Sequence, residues 1–255
     1  MGQALGHRNG QVIEAARLHR PRHRRATGHT LIEGPGLLEE ALAGGITPIQ
    51  VFALENDSTT SELLRDSDPD VTMVDEAALR RLAGTKTPRG PVAVIEIPPP
   101  ANWTSENLLV SWGVSDPGNV GTLIRVAAAF DWGFGHFEGS ADPWSPKTLR
   151  AGAGAHFRVA IAPVRSLSEL SDAGFQTVAS VVSGGEAPSS FGDSARLALL
   201  IGEEAAGLPP PIVEAADRSV TIPMPGGFES LNAAVAAGVL VYALSNTSGD
   251  DHGGV

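Results

Sequence analysis

Short apolar runs alternate with amphipathic segments along most of this chain, and this alternation limits its possible folds more than any other feature. Several runs are continuously apolar, as in "LLV" at 108–110 and "LALLI" at 197–201. Continuous runs are typical of parallel strands that are covered on both faces. Parallel strands need crossover connections, which the amphipathic segments between the runs supply. The sequence therefore predicts an α/β fold with a mostly parallel sheet in its second half.

The alternation is interrupted once, by "PPPANWTSEN" at 98–107, whose prolines and polar residues are typical of a linker. In front of it, the pattern predicts a small α/β sandwich that includes a helix starting after Asp75 and stopping at Gly84. The predicted organisation is a flexible N-terminus (1–16), a first domain (17–97), a linker (98–106), a second domain (107–245) and a flexible tail (246–255).

Composition excludes several classes of protein. The chain has 255 residues, no cysteine and a net charge of −11. Without cysteine there can be no disulfide and no thiolate metal site, which fits a reducing compartment. No apolar run reaches the roughly 18 residues of a membrane span, and the N-terminus lacks a signal-peptide pattern. We therefore expect a cytoplasmic protein.

An arginine-rich segment, "RLHRPRHRR" at 17–25, contrasts with the acidic character of the chain. It holds five Arg, two His and no acid. A local cluster of this kind can contact phosphates whatever the net charge, because electrostatic attraction acts over about 10 Å. The alternative to a phosphate-binding cluster is a solvated tail.

His19 and His23 have the spacing of a metal pair, but Pro21 and the arginines around them argue against a metal site, and no metal is predicted.

Three loops with Gly or Pro follow apolar strands, at 115–122, 201–210 and 222–232. In α/β sheets, ligands bind beyond the carboxyl ends of the strands, and glycine lets the backbone approach a ligand closely. The stretch at 151–157 has only part of a dinucleotide fingerprint, and no Walker phosphate loop or nucleophile elbow is present. Ser230 and the residues beside it can therefore be read as a binding loop or as a plain helix start.

Taken in order, four stretches resemble the three successive motifs of the SpoU/TrmH class of RNA ribose 2′-O-methyltransferases: "DPGNVGTLIRVAAAFDWG" followed by "SPKTLRAGAGAHFRV", then "LLIGEEAAGL", then "VTIPMPGGFESLNAAVAAGVLVYAL". Upstream, "LIEGPGLLEEAL" and "GTKTPRGPVAV" are similar to the substrate-binding domain that many members carry. The resemblance implies a SPOUT domain with a trefoil knot, preceded by a ribosomal-protein-like RNA-binding domain. It also implies a homodimer that uses S-adenosylmethionine as its cofactor.

The resemblance also assigns roles to individual residues. The catalytic candidates are Arg125, Asn119, Glu204, Ser230 and Asn232. The cofactor-binding candidates are Leu200, Gly202, Ile222, Met224, Ser230, Leu231 and Asn232. The RNA-binding candidates are Arg17, Arg20, Arg22, Arg24, Arg25 and Arg150. Arg125 would act as a proton acceptor or, since a guanidinium is a poor base, as a phosphate clamp that orients the hydroxyl. Asn119 could instead serve only as a helix cap.

The implied function is methylation of a ribose 2′-hydroxyl in structured RNA. The front domain favours ribosomal RNA, with a role in its processing, over transfer RNA. The alternative from another class is a catalytically silent RNA-binding scaffold paralogue. A Rossmann-type metabolic enzyme is the least favoured hypothesis.

Overall fold

The computed structural model describes residues 4–65, 69–88, 90–192 and 195–246. Elements of the first part of the chain are, in order, α1 (Gly10–Ala16), a 3-10 turn (Arg17–His19), α2 (Pro21–Thr27), β1 (His29–Glu33), α3 (Pro35–Ala43), β2 (Gln50–Ala53), α4 (Ser58–Leu63), β3 (Asp70–Met73), α5 (Glu76–Ala83) and β4 (Val92–Glu96).

The elements that follow are β5 (Leu108–Ser111), α6 (Pro117–Ala129), β6 (Gly133–Phe137), α7 (Pro146–Gly152), a 3-10 turn (Ala155–Phe157), β7 (Ile161–Val164), α8 (Leu167–Asp172), β8 (Gln176–Ser180), a 3-10 turn (Pro188–Ser190), β9 (Leu197–Ile201), α9 (Pro210–Ala215), β10 (Arg218–Val220) and α10 (Ala233–Ser245). Among the described helices, none is long and apolar enough to cross a membrane.

The chain divides into two compact units. The first unit comprises 1–99 together with 142–158, and the second comprises 100–141 and 159–255. The sequence pattern predicts that 142–158 belongs to the second domain, but this segment packs into the first unit. Leu149 of α7 lies fully buried in a core cluster with Ile32 and Ile95. A segment from the second half of the chain therefore completes the first unit.

The first unit is built on a four-stranded sheet with the order β1-β4-β2-β3, in which only β2 and β3 are parallel. Consecutive residues of a strand point to opposite faces, and Leu31 and Ile32 of β1 belong to two different core clusters. Both faces of this sheet are therefore covered, as expected for the small α/β sandwich.

The N-terminal residues differ from the flexible segment that the sequence predicted. Helix α1 begins after Asn9, whose side chain accepts a hydrogen bond from the Gln11 backbone N–H. Val12 is fully buried and Ala15 is nearly so, both in the same cluster as Leu82. The expectation was wrong because a helix of two turns offers too few apolar positions for its period to be recognised.

The second unit is built on a six-stranded sheet with the order β10-β8-β9-β5-β6-β7. Each of its adjacent strand pairs is parallel, which confirms the predicted parallel sheet. The chain runs outward from β5 through β6 to β7, and later returns to place β9 on the other side of β5. This reversal is a topological switch point, where a crevice opens at the carboxyl ends of the strands.

The predicted linker is anchored to the second unit at its far end. The Arg196 guanidinium donates hydrogen bonds to the backbone carbonyls of Trp103 (3.2 Å) and Ser105 (2.9 Å). The Trp103 ring packs edge-on against Phe175, with 6.2 Å between ring centroids. Of the predicted tail, all but Asn246 lies outside the described residues.

Candidate functional site

The site is formed where three chain segments leave the second sheet at its carboxyl edge. These segments follow β5, β9 and β10, and β5 and β9 are direct neighbours across the switch point. Parallel strands end at the same edge of a sheet, so the polar residues of the three loops are brought within reach of one another.

Helix α6 presents the first polar residue. The helix begins at Pro117, and the Asp116 side chain caps it by accepting a hydrogen bond from the Asn119 backbone N–H (3.0 Å). The alternative in which Asn119 serves only as the cap is therefore wrong. Because Asp116 has this role, the Asn119 side chain is available to reach across the site.

Asn119 joins the three loops through its amide. Its Nδ2 donates a short hydrogen bond to Oε1 of Glu204, in the loop after β9. Its Oδ1 accepts a hydrogen bond of 3.2 Å from Nδ2 of Asn232, which follows β10. These three residues, named here the amide–carboxylate trio, are far apart in sequence and are all among the predicted catalytic residues.

Asn232 has a second role as the N-cap of α10. Its Oδ1 accepts hydrogen bonds from the backbone N–H groups of Ala234 (3.0 Å) and Val235 (3.2 Å). The amide therefore uses its oxygen for the helix and its nitrogen for Asn119. The helix start and the binding loop, which the sequence left as alternatives, share one residue.

A cavity of about 410 Å³ lies beside this trio. Such a volume is within the range that holds small ligands and cofactors. Predicted cofactor-binding residues that line the cavity are Gly202, Ile222, Met224, Ser230 and Leu231, and Glu204 of the trio lines it as well. Two predicted residues do not line it: Leu200 is buried within β9, and the Asn232 side chain is directed to Asn119 and to α10.

The cavity wall requires glycine at position 202. A Cβ atom there would overlap the backbone of Gly207 and Leu208, because the loop folds back on itself. A hydrogen bond of 2.8 Å from the Gly207 N–H to the Glu203 carbonyl closes this turn. The wall is thus built of closely packed backbone, which suits a ligand that is held by main-chain groups.

Sequence reasoning missed three parts of the lining. Ser180, Val181 and Val182 line the cavity at the end of β8, Val213 lines it from α9, and Ala233, Ala236 and Leu240 line it from α10. The strand end could have been found, because "QTVASVV" is a continuous apolar run followed by "SGG" and resembles the other strands that feed the site. The small residues of α10 gave no such signal.

Arg125 is exposed on α6 and is not part of the trio. Within the described part of the chain, no side chain or carbonyl group hydrogen-bonds or ion-pairs with its guanidinium, and it does not line the cavity. Its guanidinium is therefore free to engage a ligand such as a phosphate or a hydroxyl.

The arginine-rich segment forms a 3-10 turn and α2 rather than a tail, and its five arginines are not equivalent. Arg24 is only 2% exposed; its guanidinium donates to Asp142 Oδ2 at 2.6 Å and to the Leu18 carbonyl at 2.8 Å. Its predicted role as an RNA contact is therefore wrong: burial next to a carboxylate leaves it no surface. Arg17 pairs with Glu14 at 2.6 Å.

The remaining three arginines are exposed. They carry no side-chain hydrogen bond or ion pair to any residue that the structure describes, and we name them the α2 arginine patch: Arg20, Arg22 and Arg25. Arg150, the other predicted phosphate contact, pairs at 3.3 Å with Glu33, a largely buried acid, within the first unit. That carboxylate gives Arg150 a role in stabilising its own unit.

The two histidines of the segment are directed to different partners. His19 Nε2 lies 2.8 Å from the Leu82 carbonyl, whereas His23 Nε2 lies 2.9 Å from Glu14. In the described ranges, no three His, Asp or Glu side chains are grouped as metal ligands would be.

Comparison with known proteins assigns the family. Residues 106–242, more than half of the chain, match the model of the SpoU rRNA Methylase family. Residues 9–93 match the model of the MRM3-like substrate binding domain. The chain therefore belongs to the SpoU rRNA methylase family and is an RNA methyltransferase with a substrate-binding domain in front.

Individual relatives cover nearly the whole chain. The 23S rRNA (guanosine(2553)-2′-O)-methyltransferase RlmP of Bacillus subtilis is 32% identical over 96% of this chain and 99% of its own length. The methyltransferase AviRb from Streptomyces viridochromogenes, in complex with the cofactor AdoMet, superposes with a TM-score of 0.83 at 27% identity, covering 93% of this chain and 97% of that one. An AdoMet-bound rRNA methyltransferase from Sinorhizobium meliloti gives 0.82 at 27% identity, covering 95% and 98%.

Proposed function

We propose that this protein transfers a methyl group from S-adenosylmethionine to a ribose 2′-hydroxyl of ribosomal RNA. The observation that carries the proposal is the amide–carboxylate trio beside the cavity, because it joins residues from all three motifs of the family. Ribosomal RNA is favoured because the B. subtilis relative, which matches along nearly its whole length, is named as a 23S rRNA 2′-O-methyltransferase.

The cavity fits the cofactor in its size and in the chemistry of its walls. Apolar side chains such as Ile222, Met224 and Leu240 suit the faces of an adenine ring, while the loop backbone around Gly202 offers hydrogen-bonding groups. S-Adenosylmethionine supplies a methyl group that its sulfonium centre already activates. The protein therefore has to align the acceptor hydroxyl with the methyl group and leave its proton a route to solvent.

The residues of the site divide this work. Asn119 and Asn232 hold the three loops together through their amides, and Glu204, fixed by Asn119, offers an oriented carboxylate at the cavity. Ser230 lines the cavity. Arg125 clamps the phosphate beside the acceptor ribose and orients the 2′-hydroxyl, because a guanidinium binds phosphate well and is a poor proton acceptor.

In this proposal the first unit binds the RNA substrate. The α2 arginine patch places three exposed guanidinium groups on a unit that matches a substrate-binding domain. Arginine is well suited to phosphates because its planar donors can bind two oxygens at once. The net charge of the chain is −11, so this patch has to attract RNA locally.

The active form that we propose is a homodimer that pairs through α10. Val235, Val239 and Tyr242 recur at helical spacing and are 53%, 42% and 61% exposed. An exposed apolar stripe of this kind marks an interaction surface.

The trefoil knot in the second unit remains a prediction from the family resemblance. The lack of cysteine and an RNA substrate both fit the cytoplasm, where we place the protein.

In vitro methyl transfer tests the substrate. Purified protein is incubated with labelled S-adenosylmethionine and either ribosomal RNA or transfer RNA transcripts, and the RNA is digested to nucleosides for mass spectrometry. We expect a 2′-O-methylated nucleoside from ribosomal RNA and none from transfer RNA. Methylation of transfer RNA alone would overturn the substrate assignment, and a methyl group on a base would overturn the chemistry.

A further inference from the structure

The charged residues that line the cofactor cavity are all acidic. Among the described residues lining it, Glu203, Glu204 and Glu229 carry carboxylates and none carries a basic group. All three are exposed. Glu204 is held by Asn119, whereas no side chain or backbone N–H in the described part of the chain hydrogen-bonds or ion-pairs with the carboxylate of Glu203 or Glu229.

The methyl donor and its product differ by one charge. S-Adenosylmethionine carries a sulfonium, an ammonium and a carboxylate, for a net charge of +1. After methyl transfer, the sulfur of S-adenosylhomocysteine is a neutral thioether, and the net charge is zero. The two molecules otherwise share their adenosine and amino-acid groups, so most contacts in the cavity cannot distinguish them.

We propose that Glu203 and Glu229 make the cavity prefer the cationic donor over the neutral product. This inference rests on the proposed cofactor. Each carboxylate acts through its field rather than through a hydrogen bond, because a sulfonium has no proton to donate. The two residues are specificity determinants that disfavour rebinding of the product after each turnover.

Coulomb's law sets the size of the effect. A unit charge about 8 Å from a carboxylate in largely aqueous surroundings changes affinity on the order of two- to threefold. Two independent carboxylates would therefore shift the donor-to-product preference by about fivefold. Because both are exposed, salt should weaken the preference.

Calorimetric titration of the full chain with each compound tests the proposal. The quantity measured is the ratio of the two dissociation constants, product over donor, for the wild type and for the double variant Glu203→Gln, Glu229→Gln. We expect this ratio to fall about fivefold in the double variant, while the dissociation constant for S-adenosylhomocysteine stays within about twofold. Raising the salt should lower the ratio more in the wild type than in the variant, which keeps only the Glu204 carboxylate at the cavity.

Asp172→Asn is the matched control, because Asp172 is an exposed acid of the same unit that ends α8 just before β8 begins, whereas the cavity lies at the opposite end of that strand. It should leave the ratio unchanged. A double variant that keeps the wild-type ratio would overturn the proposal while leaving the cofactor assignment intact. Failure of the wild type to bind either compound, with or without RNA, would overturn both.

Discussion

At the residue scale, Asn232 shows how one side chain can serve both fold and site. Its oxygen caps α10, a contribution of about 1 kcal/mol for a typical N-cap, while its nitrogen reaches Asn119. Replacing it with Ser or Asp could keep the cap but would remove the donor to Asn119. Local chemistry requires only one of several capping residues here, and the second contact is what favours asparagine.

Arg125 is the residue whose loss should separate catalysis from cofactor binding. Arg125→Ala should lower methyl transfer by at least a hundredfold, since it removes the group that orients the acceptor. The affinity for S-adenosylmethionine should stay within about twofold, because Arg125 does not line the cavity. Methyl-transfer rates and calorimetric titration measure the two effects.

A matched control is Arg165→Ala, which removes an exposed arginine elsewhere in the second unit. The control should keep wild-type activity. Undiminished turnover in Arg125→Ala would remove Arg125 from the mechanism.

His156 should make the stability of the protein depend on pH. Burial lowers the pKa of this histidine from 6.5 to about 4, and its Nε2 is held against the Pro143 carbonyl at 2.9 Å. The unfolded chain binds this proton at a higher pH than the folded chain does. The resulting stabilisation is complete above about pH 6.5 and is lost as the pH falls towards 4.

Between pH 7.5 and 4.5, this single group should cost about 2–3 kcal/mol of unfolding free energy. Denaturant unfolding of the wild type and of His156→Gln at both values measures it. The variant cannot titrate at this position, so its loss of stability should be smaller by that amount. An equal loss in both proteins would show that His156 accepts a proton as readily in the folded protein as in the unfolded chain.

The burial of individual side chains was the property that was hardest to predict from the sequence. The five arginines of 17–25 look alike in sequence, yet Arg24 is buried because its partner, Asp142, is brought to it by the fold from 118 positions away. A local pattern cannot reveal a partner at that distance. The motif residues were predictable because the family resemblance carries their three-dimensional arrangement with it.

At the scale of elements, the continuous apolar runs identified the strands of the parallel sheet. A strand that is buried on both faces has apolar residues at successive positions, and this pattern can be read from the sequence. Helix boundaries were harder. The apolar stripe of Leu123, Val126, Ala127 and Phe130 predicts a helix at 121–130. Helix α6 begins four residues earlier, at Pro117, where proline suits a first turn that lacks a bonded N–H. Helix α7 was assigned to the wrong unit, because its amphipathic pattern says nothing of which sheet it covers.

The α2 arginine patch gives a prediction for an element. Replacing Arg20, Arg22 and Arg25 by Gln should weaken RNA binding. It should also reduce the slope of log affinity against log salt by about 2–3, since each phosphate contact contributes about 0.7–0.9. Filter binding or fluorescence anisotropy over a salt series measures this slope.

The double variant Arg80→Gln, Arg81→Gln is the control, because it removes exposed arginines from α5 of the same unit. Its slope should stay close to that of the wild type. If the α2 variant also kept the wild-type slope, the patch would be only a solvated helix face.

At the scale of the whole molecule, α10 should mediate pairing of two copies. Tyr242→Glu places a charge in the exposed stripe, where Tyr242 packs edge-on against Phe130 with 6.2 Å between ring centroids. We expect the variant to run as a monomer in light scattering after gel filtration, because burying an unpaired charge disfavours the interface. Ile49→Glu, at an exposed apolar residue of the other unit, should leave the assembly unchanged. A wild-type monomer would contradict the proposed homodimer.

Mass-spectrometric mapping of ribose methylation in cells with and without the gene tests directly whether this chain methylates a ribose 2′-hydroxyl in ribosomal RNA, as we propose. We expect one 2′-O-methylated nucleotide of ribosomal RNA that disappears with the gene. The wild-type gene should restore it, and the Arg125→Ala gene should not. An identical ribose methylation pattern in the ribosomal RNA of both strains would contradict the claim.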